Sequence, residues 1–167
     1  MSTKLEVKCI VNNIYNIYKK DNSKMSWCMK IIDCVLDEYK DYEIDFQELN
    51  LNYLENLLPI YKKHYEPDDI NIGHIYKNLG IQYNKQNNYE KAIQYYELAL
   101  PILKKHYEPD DINIGHIYNN LGIQYKNQNN YEKAIQYYEL TLPILKKHLE
   151  PDDINIGHIY NNLGIQY

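Results

Sequence analysis

Six histidines stand in this sequence of 167 residues, and histidines accompanied by paired aspartates are the raw material of metal sites and of acid–base catalysis. Here they form two spaced sets. His64, His106 and His148 make one, His74, His116 and His158 the other, and neighbours within a set are 42 residues apart. Copies of one position in adjacent packed units lie roughly 10 Å apart, too far to ligate one ion together. The pairs Asp68-Asp69, Asp110-Asp111 and Asp152-Asp153 recur at the same interval, and helix capping accounts for them without general acid–base work. Cys9, Cys28 and Cys34 are odd in number and lack C-x-x-C spacing, so they read as packing residues, with reactive thiols as the alternative. Gly73, Gly80, Gly115, Gly122, Gly157 and Gly164 fall singly within helical stretches, which leaves no glycine-rich phosphate loop. No metal, cofactor or catalytic constellation is expected, and the chain reads as a binder and not an enzyme.

The interval itself is the most informative feature, because a fixed period identifies a stacked architecture before any single helix is assigned. Tyr65–His106 and Tyr107–His148 differ at only four positions: Lys77 against Asn119, Asn84 against Lys126, Lys85 against Asn127, and Ala99 against Thr141. A third copy begins at Leu149 and stops at Tyr167. Within a unit, Ile72, Tyr76, Leu79 and Tyr83 share one stripe of a helix from about Ile70 to Asn84. Pro67-Asp68-Asp69 signals its start, and either aspartate can accept from first-turn amides. The polar run Asn84–Asn88 ends it, with Asn88 placed to cap a second helix whose stripe is Tyr89, Ala92, Ile93, Tyr96, Ala99, Leu100 and Leu103. Two helices joined by about five residues lie antiparallel, and a single hairpin leaves apolar surface that only a neighbouring hairpin can cover.

Tyr76-x2-Leu79-Gly80-x2-Tyr83 followed by Ala92-x3-Tyr96 resembles the tetratricopeptide signature, with tyrosine where Trp or Phe is common. The set returns as Tyr118, Leu121, Gly122, Tyr125, Ala134 and Tyr138. Gly80 and Ala92 are small where paired helices approach closely. The period exceeds the usual 34 or so residues by about two helical turns. Together with Asn119-Asn120-Leu121 and Pro109-Asp110-Asp111, this is similar to the repeats of kinesin light chains over about Asp68–Tyr167. The resemblance implies an all-α fold, a right-handed superhelical stack of antiparallel hairpins of the α-solenoid type. No heptad coiled coil of the kind that joins a light chain to its heavy chain is evident, so the likeness concerns the repeat class and not a motor role.

The expected organisation is a divergent N-terminal helical cap over 1–45, a degenerate repeat helix over 46–66, full repeats over 67–108 and 109–150, and a first helix alone over 151–167. In the degenerate helix Pro59 is in register with Pro101 and Pro143, while Asn50 and Leu54 stand at the alanine and aromatic positions. Trp27, Ile31, Val35 and Tyr39 suggest its partner, and Val7, Ile10, Val11, Ile14 and Tyr18 an earlier amphipathic helix. A remnant of a different domain is the alternative for Met1–Asp45. Pro101 and Pro143 are expected to kink their helices and add curvature, with a hinge as the alternative. At the C-terminus Tyr160, Leu163, Gly164 and Tyr167 lack the helix that should pack on them. That fits a truncated array or a capping role, and self-association through this helix is the alternative.

Composition narrows the partner. The formal charge is −5 and all eighteen cations are lysine, so neither clustered basic surface nor arginine forks are available for nucleic acid. No apolar run reaches the roughly 18 residues needed to cross a bilayer and the start lacks a signal sequence, which points to a cytoplasmic protein with no membrane partner. If the stack curves as tetratricopeptide arrays do, the first helices line the concave side. His74, Lys77, Asn78 and Ile81 lie off the packing stripe there, as do His116, Asn119, Asn120 and Ile123, then His158, Asn161, Asn162 and Ile165. Asparagine both donates and accepts, so a ladder of them can hold the backbone of an extended peptide. The resemblance places family peptide contacts at Asn78, Asn120 and Asn162. Ile81 stands where a chaperone-tail clamp would want another asparagine, so that ligand is not expected. The near-identity of the units reflects either a repetitive ligand or, as preferred here, a recent duplication. A regulatory segment of a larger signalling protein or enzyme is the further alternative.

Overall fold

The computed structural model describes residues 13, 14, 16, 17, 20, 21, 23, 25–38 and 51–164, the side chains of 33–38 excepted. Seven helices are fully described: α1 Met25–Glu38, α2 Leu51–His64, α3 Ile70–Lys85, α4 Tyr89–His106, α5 Ile112–Asn127, α6 Tyr131–His148 and α7 Ile154–Leu163. No strand occurs among the described residues. The expectations for Val7, Cys9, Ile10, Val11, Tyr18, Tyr39, Asn50, Ile165 and Tyr167, and for the side chains of Cys34 and Val35, lie outside what is described.

Local chemistry sets each boundary. Asp69, Asp111 and Asp153 cap the first helices, accepting from the amides of Asn71, Asn113 and Asn155 at 2.8, 2.7 and 2.8 Å. Asp68 and Asp110 do something else. Their carboxylates pair with Lys105 and Lys147 at the far end of the same hairpin, so only the second aspartate of each pair is a cap. The first helices end in a left-handed residue, Asn87 at φ 58° and Asn129 at φ 61°. The Asn88 amide then donates back to the Tyr83 carbonyl at 3.0 Å and the Asn87 amide to Asn84 at 2.8 Å, a Schellman closure. Asn88 and Asn130 at once cap the second helices, accepting from Lys91 and Lys133 amides at 3.2 Å each.

In the two full units each first helix packs on the second helix of its own unit, and each second helix on the first helix of the next. The core runs unbroken along the stack. Ile72, Ile75, Tyr76, Leu79 and Tyr83 meet Ala92, Ile93, Tyr96, Ala99, Ile102 and Leu103, and the second unit repeats the arrangement except that Ile135, the counterpart of Ile93, is exposed and a buried Thr141 stands for Ala99. Close approach explains the glycines: a Cβ on Gly80 would stand 2.7 Å from the Tyr96 ring, and one on Gly122 would stand 2.6 Å from Tyr138. Pro59, Pro101 and Pro143 sit inside α2, α4 and α6 and are exposed, and all three helices continue past them.

The N-terminal end differs from expectation in its buried face. Trp27 is 50% exposed, whereas Cys28 and Ile32 are fully buried, flanked by half-buried Met25, Met29 and Ile31. The buried stripe is thus built on narrow sulfur-bearing and aliphatic side chains, and the largest apolar residue is a misleading guide to it. Cys28 is a packing residue, its Sγ 3.6 Å from the Ile14 carbonyl oxygen. Leu54 is buried with Tyr53, Leu57 and Tyr61, and α2 thus forms the base on which α3 stacks.

Candidate functional site

The residues singled out on the first helices occupy graded environments. On α3, Asn78 is 3% exposed and its Nδ2 donates to the His74 carbonyl at 2.8 Å, while His74, Lys77 and Ile81 are half-buried. The His74 Nε2 lies 3.2 Å from the Tyr107 hydroxyl, contributed by the segment between α4 and α5. On α5, His116 is exposed and Asn119, Asn120 and Ile123 are half-buried. On α7, His158 and Asn161 are exposed and Asn162 is half-buried.

Side chains connect these helices across unit boundaries. Partial burial and then the positive charge of Lys77 hold the His116 imidazole below its ordinary value, so α3 and α5 share an electrostatic environment at that point. The Lys126 Nζ donates to the Asn162 Oδ1 at 2.8 Å, joining α5 to α7. Lys126 is not among the residues singled out from sequence. The available signal is its place among the four differences between the copies, where Asn84 is its counterpart. No aspartate or glutamate lies within α3, α5 or α7, although the whole chain is acidic.

Of the remaining histidines, His106 and His148 are structural. The Nε2 atoms of His106 and His148 donate to the carbonyls of Asp68 and Asp110 at 2.8 and 2.7 Å, beside the lysine–aspartate pairs, and close the open end of each hairpin. Among the described residues no group of three His, Cys, Asp or Glu side chains could hold a metal ion.

A second recurring cluster joins the units. The Tyr125 hydroxyl donates to the Glu97 Oε1 at 2.7 Å, and Tyr83 does the same to Glu55. Lys133 and Lys91 reach the same phenols at 3.4 and 3.3 Å and lie over the rings at 4.7 Å each. Stacked on them are Tyr137 and Tyr95, with ring centroids 5.6 and 5.4 Å away. Desolvation first, then the neighbouring carboxylate, raises both phenols above their ordinary range. This Glu–Tyr–Lys cluster lies at the unit boundaries and is a device for register.

Two tetratricopeptide-repeat models match residues 51–105 and 115–155, together more than half of the chain, and the chain belongs to the tetratricopeptide-repeat proteins. Similar solved structures include a protein from Podosopora anserina described as a putative kinesin light chain with nearly identical TPR-like repeats. It has TM-score 0.58 at 11% identity, covering 98% of this chain and 86% of that one. A singly substituted form of that protein gives the same score and identity, covering 98% and 85%. BtubC (BKLC) from P. vanneervenii has TM-score 0.50 at 15% identity, covering 98% and 84%. At these identities the likeness speaks for the fold alone. No curated protein matches this sequence.

Proposed function

We propose that this chain is a scaffold that holds an extended peptide segment of another protein along the surface formed by α3, α5 and α7. Tetratricopeptide repeats generally mediate protein–protein interaction, and such scaffolds are typically not enzymes. The observation that carries the reading is the recurring set of polar side chains on three successive first helices, the last two joined by the Lys126–Asn162 bond, none of which contains an acidic residue. Asn120 and Asn162 supply backbone-matching amides, Lys77 and Lys126 attract carboxylates, and His116 and His158 border the track. Asn78, nearly buried and bonded within its own helix, contributes less than its two copies. No helix among the described residues is long and apolar enough to cross a membrane, and we place the binding event in the cytoplasm.

Selection of peptides from a random displayed library against the full chain tests this. Peptides recovered should lose at least about tenfold in affinity, roughly 1.4 kcal/mol, for an Asn120→Ala/Asn162→Ala variant. Lys77→Glu should weaken acidic peptides further, with helicity and melting temperature unchanged. Equal affinities for wild type and both variants would sink the assignment.

A further inference from the structure

The ten residues of α7 repeat the first ten of α5 without change, yet among the described residues α7 has no counterpart of the companion that α5 has in α6. The two complete hairpins show what such a companion contributes. Gly73 faces Ile102 and Leu103, and Gly115 faces Ile144 and Leu145, so closely that a Cβ would stand 2.8 Å or 2.9 Å from the nearest side-chain carbon. At Gly157 the same socket is open among the described residues, with none of their atoms within 4 Å. Asp68 and Asp110 each receive a lysine and a histidine from the last turn of the companion helix. Asp152 is exposed and receives neither from the described residues. Ile154 is 70% exposed where Ile70 and Ile112 are half-buried, and Tyr160 is half-buried where Tyr76 and Tyr118 are 7% and 8% exposed.

We propose that this face of α7 is a docking site for one amphipathic helix, supplied from outside residues 1–167, with the pattern Ala-x3-Tyr-x5-Ile-Leu-x-Lys-His. That is the pattern of Ala92, Tyr96, Ile102, Leu103, Lys105 and His106, and it recurs in α6 with Ala134, Tyr138, Ile144, Leu145, Lys147 and His148. The surface continues an interface already made twice in the molecule, and it offers the same apolar socket and the same carboxylate. Ile-Leu fills the hollow at Gly157 while the basic last turn meets Asp152, and together these fix both direction and register. The face is distinct from the polar track of His158 and Asn162 on the same helix.

The test uses the full chain and a fluorescein-labelled 18-residue peptide with the sequence Tyr89–His106, followed by anisotropy. Saturable binding is expected, weakened at least about tenfold by Gly157→Leu, which fills the socket. Asp152→Lys, a change at an exposed position that cannot disturb the core, should also weaken binding, most at low salt. Absence of saturable binding overturns the proposal. So does binding unaffected by both variants, since a peptide that displaced α6 from the identical α5 would behave that way. Light scattering on the chain alone supplies the last arm: a dimer dissolved by Gly157→Leu puts a second copy on the face and overturns the assignment to a separate helix, whereas a monomer supports it.

Discussion

Two glycines of this chain make opposite demands on the same substitution. At Gly122 an added methyl would stand 2.6 Å from the Tyr138 ring, which is fixed by nearly full burial. Gly122→Ala is therefore expected to destabilise by about 1–3 kcal/mol, overpacking outweighing the better helix propensity of alanine. Gly157 has open space around it among the described residues, so Gly157→Ala should stabilise by about 0.5–1 kcal/mol. Urea denaturation of the two variants beside wild type checks both signs, and a shared sign would contradict the packing described. The contrast also shows what sequence could not display. Gly73, Gly115 and Gly157 are copies of one residue, and Asn78, Asn120 and Asn162 of another, but the neighbour that decides socket depth or burial differs at the stack's two ends. The periodicity and the capping asparagines are readable because they depend on residues nearby in the chain. The exposure of Trp27 depends on which side α2 covers and is not.

At the scale of the helical hairpin, the paired aspartates divide their labour. Asp69 and Asp111 stop the fraying of a helix start, while Asp68 and Asp110 clamp the opposite helix of the hairpin through lysine and histidine. The hydrogen bond from Lys105 holds the Asp68 carboxyl below the usual aspartate range, and Lys147 does the same for Asp110. A carboxyl whose folded value is depressed contributes stability above its unfolded value, near about 3.9, and that contribution is lost as pH falls through the folded value. Asp68→Asn/Asp110→Asn should accordingly melt below wild type at neutral pH, and the gap should close in acid. A gap that stays constant as the pH is lowered from neutrality through the acid range would show that the clamp is not electrostatic. Both groups are solvent-exposed, so the effect is screened and should shrink with added salt. Sequence places both aspartates at the helix start. It cannot assign the clamp, which joins residues 37 apart in the chain.

Across the whole molecule, stability is a sum of unit and boundary terms, so it is graded along the stack. The helix α7 packs chiefly on α6, whereas α3 through α6 are each held on two sides. Amide hydrogen exchange should therefore be faster in α7 than in α3 through α6, and slowest in the second helix of the first full unit, around Tyr96–Leu103. Uniform protection over all helices would mean that the stack opens as one body. The same gradation bears on binding, since a ligand that spans α3, α5 and α7 would fasten α7 to two firmer helices and slow its exchange.

The bond from Tyr125 to Glu97, and its counterpart from Tyr83 to Glu55, crosses successive boundaries with the same separation of 28 residues. Such a joint acts as a vernier. Gain or loss of a whole 42-residue segment leaves every phenol opposite a carboxylate of the right kind, while an insertion of a residue or so in a connecting turn would unseat the joint at that boundary. The gene can thus lengthen or shorten this protein by recombination between its nearly identical segments without inventing a new contact. The reach of the polar track would change in the same discrete steps.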